Sequence, residues 1–236
     1  MFRRKLFTIP FYTASASAIC TATAGTYYYQ TSLKKVDEPS SVPSWSLLQT
    51  LKSPSGDGDQ IYRDCFSIRV PKSQLSLPTS PADQEALLVK YVGAFYTSPV
   101  FKLERFLINL FSKSSPETQP ETDQDILSKE FQLGDTVASN SYTVTTRDPN
   151  QMELKFSLQK GVIDGSSWLA IEEPQAHEGA YTFWFGTAIY PADKELPDFD
   201  SRFKSNNMEV RFHKIYSRVL IDMAVKKLVS MYPTNS

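Results

Sequence analysis

Apolar residues at helical spacing predict two consecutive helices in the middle of the chain. Each run is preceded by a serine and a proline, Ser80-Pro81 and Ser98-Pro99. Serine suits the position that caps a helix, and proline suits its first turn. The apolar positions then recur every three or four residues: Leu88, Tyr91, Val92 and Phe95 in the first run, and Phe101, Phe106, Leu107, Leu110 and Phe111 in the second. The sequence therefore predicts a helix–break–helix unit.

The period of the apolar pattern falls to two after these helices, which is typical of strands with one buried face. One strand, within 61–71, precedes the helices and ends at Pro71. Asp164-Gly165 is a hairpin-turn signal, and the short connections predict antiparallel pairing. Five strands are predicted after the helices, within 130–139, 142–148, 152–159, 162–174 and 177–191.

A long amphipathic helix closes the chain, because its apolar residues again form one stripe. That stripe contains Phe212, Tyr216, Val219, Leu220 and Met223. A sheet with one buried face and helices on one side is an α+β fold. We therefore expect residues 61–233 to form a curved antiparallel sheet packed on the long C-terminal helix, with a strand and two short helices first.

The first 35 residues predict a targeting or transmembrane segment. Arg3, Arg4 and Lys5 open the chain, no charge occurs from Leu6 to Leu33, and serine, threonine and alanine are frequent. These features favour a mitochondrial presequence, with or without a retained membrane anchor. A secretory signal, another membrane anchor or a disordered tail are the alternatives. Residues 36–60 are rich in proline, serine and glycine and are predicted to be a linker.

Composition and motifs restrict the possible functions. The formal net charge of −1 gives no general attraction to nucleic acid. The two cysteines, Cys20 and Cys65, and the two histidines, His177 and His213, have no metal-ligand spacing, so neither a metal nor a cofactor is predicted. The sequence contains no nucleophile-elbow, phosphate-loop or dinucleotide-binding pattern. No motif therefore identifies an enzyme, although none excludes one.

The order of elements over 62–232 resembles the helix-grip fold of the START-like superfamily, which includes plant allergens, polyketide cyclases and lipid-transfer domains. The stretches FYTSPVFKLERFLI, WFGTAIYP and FHKIYSRVLI resemble a family of uncharacterised fungal and bacterial proteins. Five strands follow the helices where helix-grip domains usually have six. The resemblance implies binding of a hydrophobic small molecule or lipid, and the N-terminal segment predicts that the domain is mitochondrial and anchored to a membrane.

A ligand pocket of this kind would be lined by side chains that meet beneath the terminal helix. A plain packed core is the alternative role for the same rings. The candidate ligand-binding residues are Tyr91, Phe95, Phe101, Glu104, Arg147, Trp168, Phe183, Phe185, Phe212 and Tyr216.

The adjacent charges Glu104 and Arg105 lie in a mainly apolar helix, so each is expected to pair with another element. Arg147 or Arg218 could meet Glu104; otherwise Glu104 is a buried polar group in a cavity. A polyketide-cyclase-like enzyme would need an acid or base there. Its candidates are Asp64, Glu104, Arg147 and His213. A third hypothesis is a non-catalytic assembly or structural factor of a mitochondrial membrane.

Overall fold

The structure, a computed structural model, describes residues 33–47, 61–75, 81–111, 121–158, 163–174, 179–192, 199, 203 and 207–232. The α+β prediction is confirmed: a curved, unclosed antiparallel sheet packs on a long C-terminal helix. The strands are β1 (Val36–Asp37), β2 (Tyr62–Pro71), β3 (Thr136–Val137), β4 (Tyr142–Asp148), β5 (Gln151–Leu158), β6 (Ile163–Glu172) and β7 (Ala180–Pro191). The helices are α1 (Pro81–Tyr96), α2 (Pro99–Phe111), α3 (Asp123–Leu127) and α4 (Met208–Met231).

The seven described strands lie in the order β1-β2-β7-β6-β5-β4-β3, and every neighbouring pair is antiparallel. From β3 to β7 the sheet follows chain order, as expected for hairpin connections. The first long strand, β2, pairs with the last one, β7. The helices α1 to α3 follow β2 and precede β3 in the chain, so they connect strands that lie near opposite ends of the sheet.

The predicted helix starts are confirmed at Pro81 and Pro99. Between α1 and α2, the Thr97 hydroxyl donates to the Gly93 carbonyl at 2.6 Å, and the Ser98 hydroxyl accepts from the Phe101 amide at 3.3 Å. These local bonds satisfy backbone groups that a helix end leaves without partners. The break therefore turns the chain and begins α2 within a few residues.

The main core lies between the helices and one face of the sheet, which we call the helix-facing side. Along β6, Leu169 and Ile171 point into this core, whereas Trp168 and Ala170 lie in a separate cluster on the opposite, outer face. This separation is the alternation expected of a strand. Both faces are buried at β6, so the sheet is covered on its outer side as well.

Part of the predicted linker supplies this outer cover, which differs from the sequence prediction. Val36 pairs with Ile68 at the edge of the sheet. The Trp45 ring lies 5.4 Å from the Trp168 ring and 6.0 Å from the Trp184 ring. An unpaired strand edge and an apolar face both gain from a cover, which explains why residues 36–47 pack onto the sheet.

Residues 1–32 and 48–60 lie outside the described residues, so most of the predicted targeting segment and of the linker does too. Leu33, at the end of that segment, is buried, and the packed region therefore begins earlier than the predicted Ile61. Within the described chain, no helix combines the length and the apolar character needed to span a membrane.

The hairpin predicted at Asp164-Gly165 is wrong, because both residues lie inside β6. Gly165 has a packing role instead. A Cβ at this position would lie 2.4 Å from the Phe156 ring and 2.9 Å from the Ala188 carbonyl oxygen, so only glycine leaves room for that ring.

The short helix α3 is an element that the hydrophobic period does not predict. It begins with a reciprocal capping box. The Thr122 side chain accepts from the Asp125 amide, and the Asp125 side chain accepts from the Thr122 amide. The threonine and aspartate spacing was the only available signal for this helix.

Candidate functional site

A row of polar residues crosses the helix-facing side of the sheet. Ser167 of β6 and Asp64 of β2 are both register partners of Thr187 on the intervening strand β7. All three are buried: their exposed fractions are 5 %, 7 % and 3 %, for Ser167, Asp64 and Thr187. Polar residues are uncommon in such positions because burial removes their contacts with water. We call Ser167, Thr187 and Asp64 the polar row.

A second polar group is centred on the carboxyl group of Glu104, on α2. The Tyr142 hydroxyl, from β4, donates to Glu104 Oε1 at 2.5 Å, and the Tyr216 hydroxyl, from α4, donates to Oε2. Three separate elements thus place one carboxyl group between two phenols. Together with Tyr96, described below, these residues form what we call the Glu104 cluster.

Glu104 has a raised pKa. Burial raises the pKa of this carboxyl group, and the hydrogen bonds from Tyr142 and Tyr216 and the charge of His213 offset only part of that effect. Glu104 is half-buried, so the protein surrounds it without sealing the residue from solvent. A carboxyl group in this environment can donate a hydrogen bond when protonated and accept a proton when ionised.

The Tyr96 hydroxyl, at the end of α1, belongs to the same group. No described residue meets the geometry of a hydrogen bond to it, although the Ser167 side chain lies close enough to act on it. Tyr96 is fully buried, and the centre of its ring lies 5.4 Å from the centre of the Tyr142 ring. Burial, followed by the charge of Glu104, raises the Tyr96 pKa well above its ordinary value, and Ser167 offsets part of the shift. A buried hydroxyl without a partner requires an explanation, such as a water molecule or a ligand.

Asp64 and His213 form an ion pair next to this group. Asp64 Oδ2 lies 3.1 Å from His213 Nε2 and accepts from the Tyr62 hydroxyl at 2.8 Å. Burial lowers the pKa of His213, but the charges of Asp64 and Glu104 outweigh burial, so the pKa is raised overall. The other carboxylate oxygen, Asp64 Oδ1, is buried and makes no hydrogen bond among the described residues.

A serine-type catalytic triad does not fit this arrangement. The Ser217 hydroxyl lies 3.5 Å from His213 Nε2, the same ring nitrogen that contacts Asp64. In a triad the serine and the carboxylate contact opposite nitrogens of the imidazole. Cys65 is no better as a nucleophile: it lies in the outer-face cluster, and burial raises its pKa to about 12.

Most of the predicted aromatic residues lie in the main core. Three pairs of aromatic rings lie in this core. The distances between their ring centres are 5.0 Å for Tyr91–Phe183, 4.7 Å for Phe95–Phe185 and 5.8 Å for Phe95–Phe101. These rings therefore pack against one another. Phe212 is half-buried on α4, one residue before His213.

Two other predicted residues lie apart from the Glu104 cluster. Trp168 faces the outer side, where its indole nitrogen donates to Gln151 Oε1 at 3.0 Å. Arg147 binds Glu85 on α1 at 2.5 Å and also donates to the Phe131 carbonyl at 3.1 Å. It thereby ties β4 to α1.

The prediction that Arg147 or Arg218 meets Glu104 is wrong. Arg218 binds Glu38 at 2.6 Å, beside the strand edge, while tyrosines occupy the positions around Glu104. Phenol groups offer neutral donors at that site, so Glu104 keeps an elevated pKa instead of joining an ion pair. Arg105 does pair with another element, as predicted, through Asp123 of α3.

Tyr62, Tyr96 and Tyr142 were not among the predicted site residues. Each is an aromatic residue in an element that the sequence already assigns to the core, so nothing in the sequence indicated that its hydroxyl group would belong to a polar site. Tyr142 and Glu104 are separated by 38 residues, and Tyr216 and Glu104 by 112. Only the three-dimensional arrangement brings their polar atoms together.

The described residues contain no group of three histidine, cysteine, aspartate or glutamate side chains that could hold a metal ion. Comparisons with protein-family models, curated proteins and solved structures found no match. The geometry of the Glu104 cluster and the polar row is therefore the basis for assigning a function.

Proposed function

We propose that the domain binds a small, mainly apolar molecule between α4 and the sheet, and holds its polar group beside Glu104 and Asp64. One observation carries the proposal: Asp64 Oδ1 is buried without a hydrogen-bond partner among the described residues, and the buried Tyr96 hydroxyl has no partner there beyond an interaction with the Ser167 side chain. Such groups cost free energy unless something binds them. The aromatic core around them would contact the apolar part of the ligand.

The same residues restrict the chemistry of the ligand. Asp64 Oδ1 can only accept a hydrogen bond while ionised, so it requires a donor such as a hydroxyl group. Tyr96 and protonated Glu104 can donate to a carbonyl oxygen. A carboxylate or phosphate ligand would be repelled by Asp64 and by ionised Glu104. We therefore expect an uncharged compound with a hydroxyl and a carbonyl group.

The experiment compares Glu104, on α2 at the helix-facing side, with Glu153, a buried glutamate on the outer face of the sheet. Full-length wild type, Glu104→Gln and Glu153→Gln are purified in mild detergent, and small molecules extracted from each are compared by mass spectrometry. Glu153 lies on the outer face, with Trp168 as its register partner, so it provides a matched control. We expect a compound that accompanies the wild type and Glu153→Gln but is depleted in Glu104→Gln.

Equal extracts from all three proteins would contradict a ligand held at Glu104. A panel of hydroxylated aromatic ketones, fatty acids and alkylamines then tests the chemical class by thermal shift. The proposal expects stabilisation by the uncharged ketones alone. Stabilisation by fatty acids alone would contradict the predicted repulsion of anions.

An acid–base enzyme of the polyketide-cyclase kind is a second candidate, favoured by a specific juxtaposition. Three of its four candidate residues, Asp64, Glu104 and His213, are connected through the ion pair at 3.1 Å and the electrostatic coupling of His213 to Glu104. A carboxyl group with a raised pKa is a stronger base, once ionised, than an ordinary one. Glu104 could remove a proton from a carbon next to a carbonyl, leaving an enolate beside the Tyr96 hydroxyl.

This second function is tested by hydrogen exchange. In D₂O, removal of a C–H proton by Glu104 and return of a deuteron to the same carbon gives a mass increase without net reaction. We expect the full-length protein to catalyse this exchange in aromatic β-diketones, and Glu104→Gln to abolish it. An exchange rate that is the same for wild type and Glu104→Gln would exclude Glu104 as the base.

We also propose that the first 35 residues direct the protein to mitochondria and anchor it to a membrane there. The support is the basic, acid-free start followed by an uncharged stretch. Each positive charge gains about 2.3 kcal/mol per 100 mV during import along the membrane potential. A fluorescent fusion of the full chain should lose mitochondrial location when Arg3, Arg4 and Lys5 become Glu. A wild-type fusion that stays in the cytosol would contradict the proposal.

A further inference from the structure

An open cleft lies where the α1–α2 connection meets the C-terminal half of α4. Its volume is about 370 Å³, which is large enough for the polar group of a small molecule and for part of the rest of that molecule. This cleft is distinct from the Glu104 cluster, because Lys227 lies eleven residues beyond Tyr216 on α4, or roughly 16 Å along the helix. Its lining consists of Thr97, Pro99, Lys102, Met223, Lys226, Lys227 and Ser230.

Positive charge exceeds negative charge around this cleft. Lys102 and Arg105 both bind Asp123, with Lys102 at 2.5 Å, and Lys226 binds Asp222 at 2.8 Å. Lys227 lies 3.8 Å from Asp123, which already has two closer cations. Among the described residues, four cations therefore contact two carboxylates, although the whole chain has a formal net charge of −1. The nearby Glu121 does not alter this balance, since it binds Lys129 at 3.0 Å.

The central lysine is held in position by the backbone. The Lys227 ammonium group donates to the Thr97 carbonyl at 2.8 Å, which fixes it at the wall of the cleft. Burial lowers its pKa, and the charges of Lys102 and Arg105 add to this effect, while Asp123 opposes it. An anion bound in the cleft would relieve this repulsion. Lys102 and Lys226 have half-exposed side chains that can turn toward such an anion.

We propose that this cleft binds a phosphoryl group, with Lys102, Lys226 and Lys227 as its cationic contacts. Lysine is a common phosphate ligand because its ammonium group supplies three donors at a compact positive charge. Pro99 and Met223 supply apolar surface for the rest of the molecule, and the Ser230 hydroxyl, which donates to the Lys227 carbonyl at 2.7 Å, also lines the cleft. The phosphoryl group can belong to a soluble phosphate ester or to the headgroup of an anionic lipid.

The first test measures binding of glycerol 3-phosphate and of inorganic phosphate to the full-length protein by calorimetry. The variant Lys102→Gln/Lys226→Gln removes the two half-exposed cations and leaves the Lys227–Thr97 bond in place. The control Lys72→Gln/Lys155→Gln removes the same charge elsewhere. We expect saturable binding that weakens with salt, and a loss of roughly tenfold in the cleft variant, since each lost contact is a charge-assisted hydrogen bond.

The second test distinguishes the two sources of the phosphoryl group. The same proteins are floated with phosphatidylcholine vesicles, with and without an anionic phospholipid. If anionic vesicles bind more wild-type protein than neutral vesicles do, and the cleft variant loses this difference, the site binds a lipid headgroup. If the cleft variant loses only the binding of glycerol 3-phosphate, the site binds a soluble ester. The proposal is overturned if no probe binds saturably, or if the control variant loses as much binding as the cleft variant.

Discussion

Buried polar side chains lie on both faces of the sheet, but among the described residues the four with a buried atom that lacks a hydrogen-bond partner, Asp64, Tyr96, Arg105 and Arg218, lie in the helices or on the helix-facing side of β2. On the outer face, Gln151 Oε1 accepts from the Trp168 indole at 3.0 Å and from the Leu47 amide at 3.1 Å. Glu153, also buried, accepts from Ser166 at 2.6 Å and from Thr146 at 3.0 Å. The outer face therefore uses polar groups to attach the segment 36–47 and to join strands.

The helix-facing side has the opposite character. Its Glu104 carboxyl group has a raised pKa. Asp64 Oδ1 lacks a hydrogen-bond partner among the described residues, and so does the Tyr96 hydroxyl apart from its interaction with Ser167. Buried polar groups that serve stability alone are normally satisfied. The difference between the two faces indicates that the outer polar groups are structural, and it is the basis of our proposal that the inner ones bind a further molecule.

The largest expected effect is a loss of stability on the outer face. Trp168 is fully buried between Trp45 and Trp184, so Trp168→Ala should lower the free energy of unfolding by about 3–5 kcal/mol. Urea unfolding of the full-length protein measures this. Trp45→Ala provides the comparison and should cost less, because Trp45 is 38 % exposed. Equal losses would mean that the outer cluster is not centred on Trp168.

The two glutamates should respond differently to neutralisation. Glu153→Gln replaces one of the two oxygens that accept from the Ser166 and Thr146 hydroxyl groups with an amide NH₂, and should cost about 1–3 kcal/mol. For Glu104, the raised pKa means that wild-type stability is greatest when the carboxyl group is protonated, and falls as pH rises through the folded-state pKa. Glu104→Gln cannot ionise and escapes that loss.

Urea unfolding between pH 4.5 and 8 checks this second prediction. The stability of Glu104→Gln relative to wild type should rise with pH until the folded-state pKa of Glu104 is passed. A relative stability that falls with rising pH would contradict a raised pKa at Glu104.

Removing a single phenol oxygen should have a smaller, pH-dependent effect. Tyr142→Phe takes away one donor to Glu104 and should cost about 1 kcal/mol at pH values above the folded-state pKa of Glu104 and less below it, because the ionised carboxylate needs that donor most. Tyr91→Phe is the matched control, since its hydroxyl donates to a backbone carbonyl, that of Trp184, at 3.1 Å. Its cost should not follow the ionisation of Glu104. The idea fails if both variants show the same pH dependence.

The smallest predicted effect is a shift in the titration of His213. With only two histidines in the chain, His177→Gln leaves one imidazole signal to follow by NMR. The His213 midpoint should lie above the ordinary value of about 6.5, and Asp64→Asn should lower it. The stability that the Asp64–His213 pair contributes is fully present below the pKa of His213 in the unfolded chain. It is lost as pH rises through the pKa of His213 in the folded protein. A midpoint unaffected by Asp64→Asn would disprove the coupling.

The layers of the fold could be predicted from the sequence because hydrophobic periodicity and helix capping depend on residues that are close together along the chain. Pro81 and Pro99 marked helix starts, and alternation marked the strands. The Asp164-Gly165 signal failed because the same dipeptide also serves where a ring packs on a strand, as Phe156 does on Gly165. The attachment of Trp45 depends on a tryptophan more than a hundred residues away, so no local pattern could predict it.

The site was predicted in part. Glu104, Asp64 and His213 were candidates as possible acids or bases, and Tyr216 was a candidate as one of the aromatic residues that could line a pocket. Their arrangement depends on how α2, α4 and β2 meet, which the sequence does not specify. Tyr96 was missed because a tyrosine in a core helix reads as an apolar residue until its hydroxyl is seen to lack a partner.

An experimental density map of the full-length protein, purified from its own cells without stripping bound molecules, tests the central contrast most directly. The account predicts non-protein density within hydrogen-bond distance of the Tyr96 hydroxyl or Asp64 Oδ1, and none at Gln151 or Glu153. Hydrogen bonds from the protein itself to both inner atoms, with no density between α4 and the sheet, would contradict it.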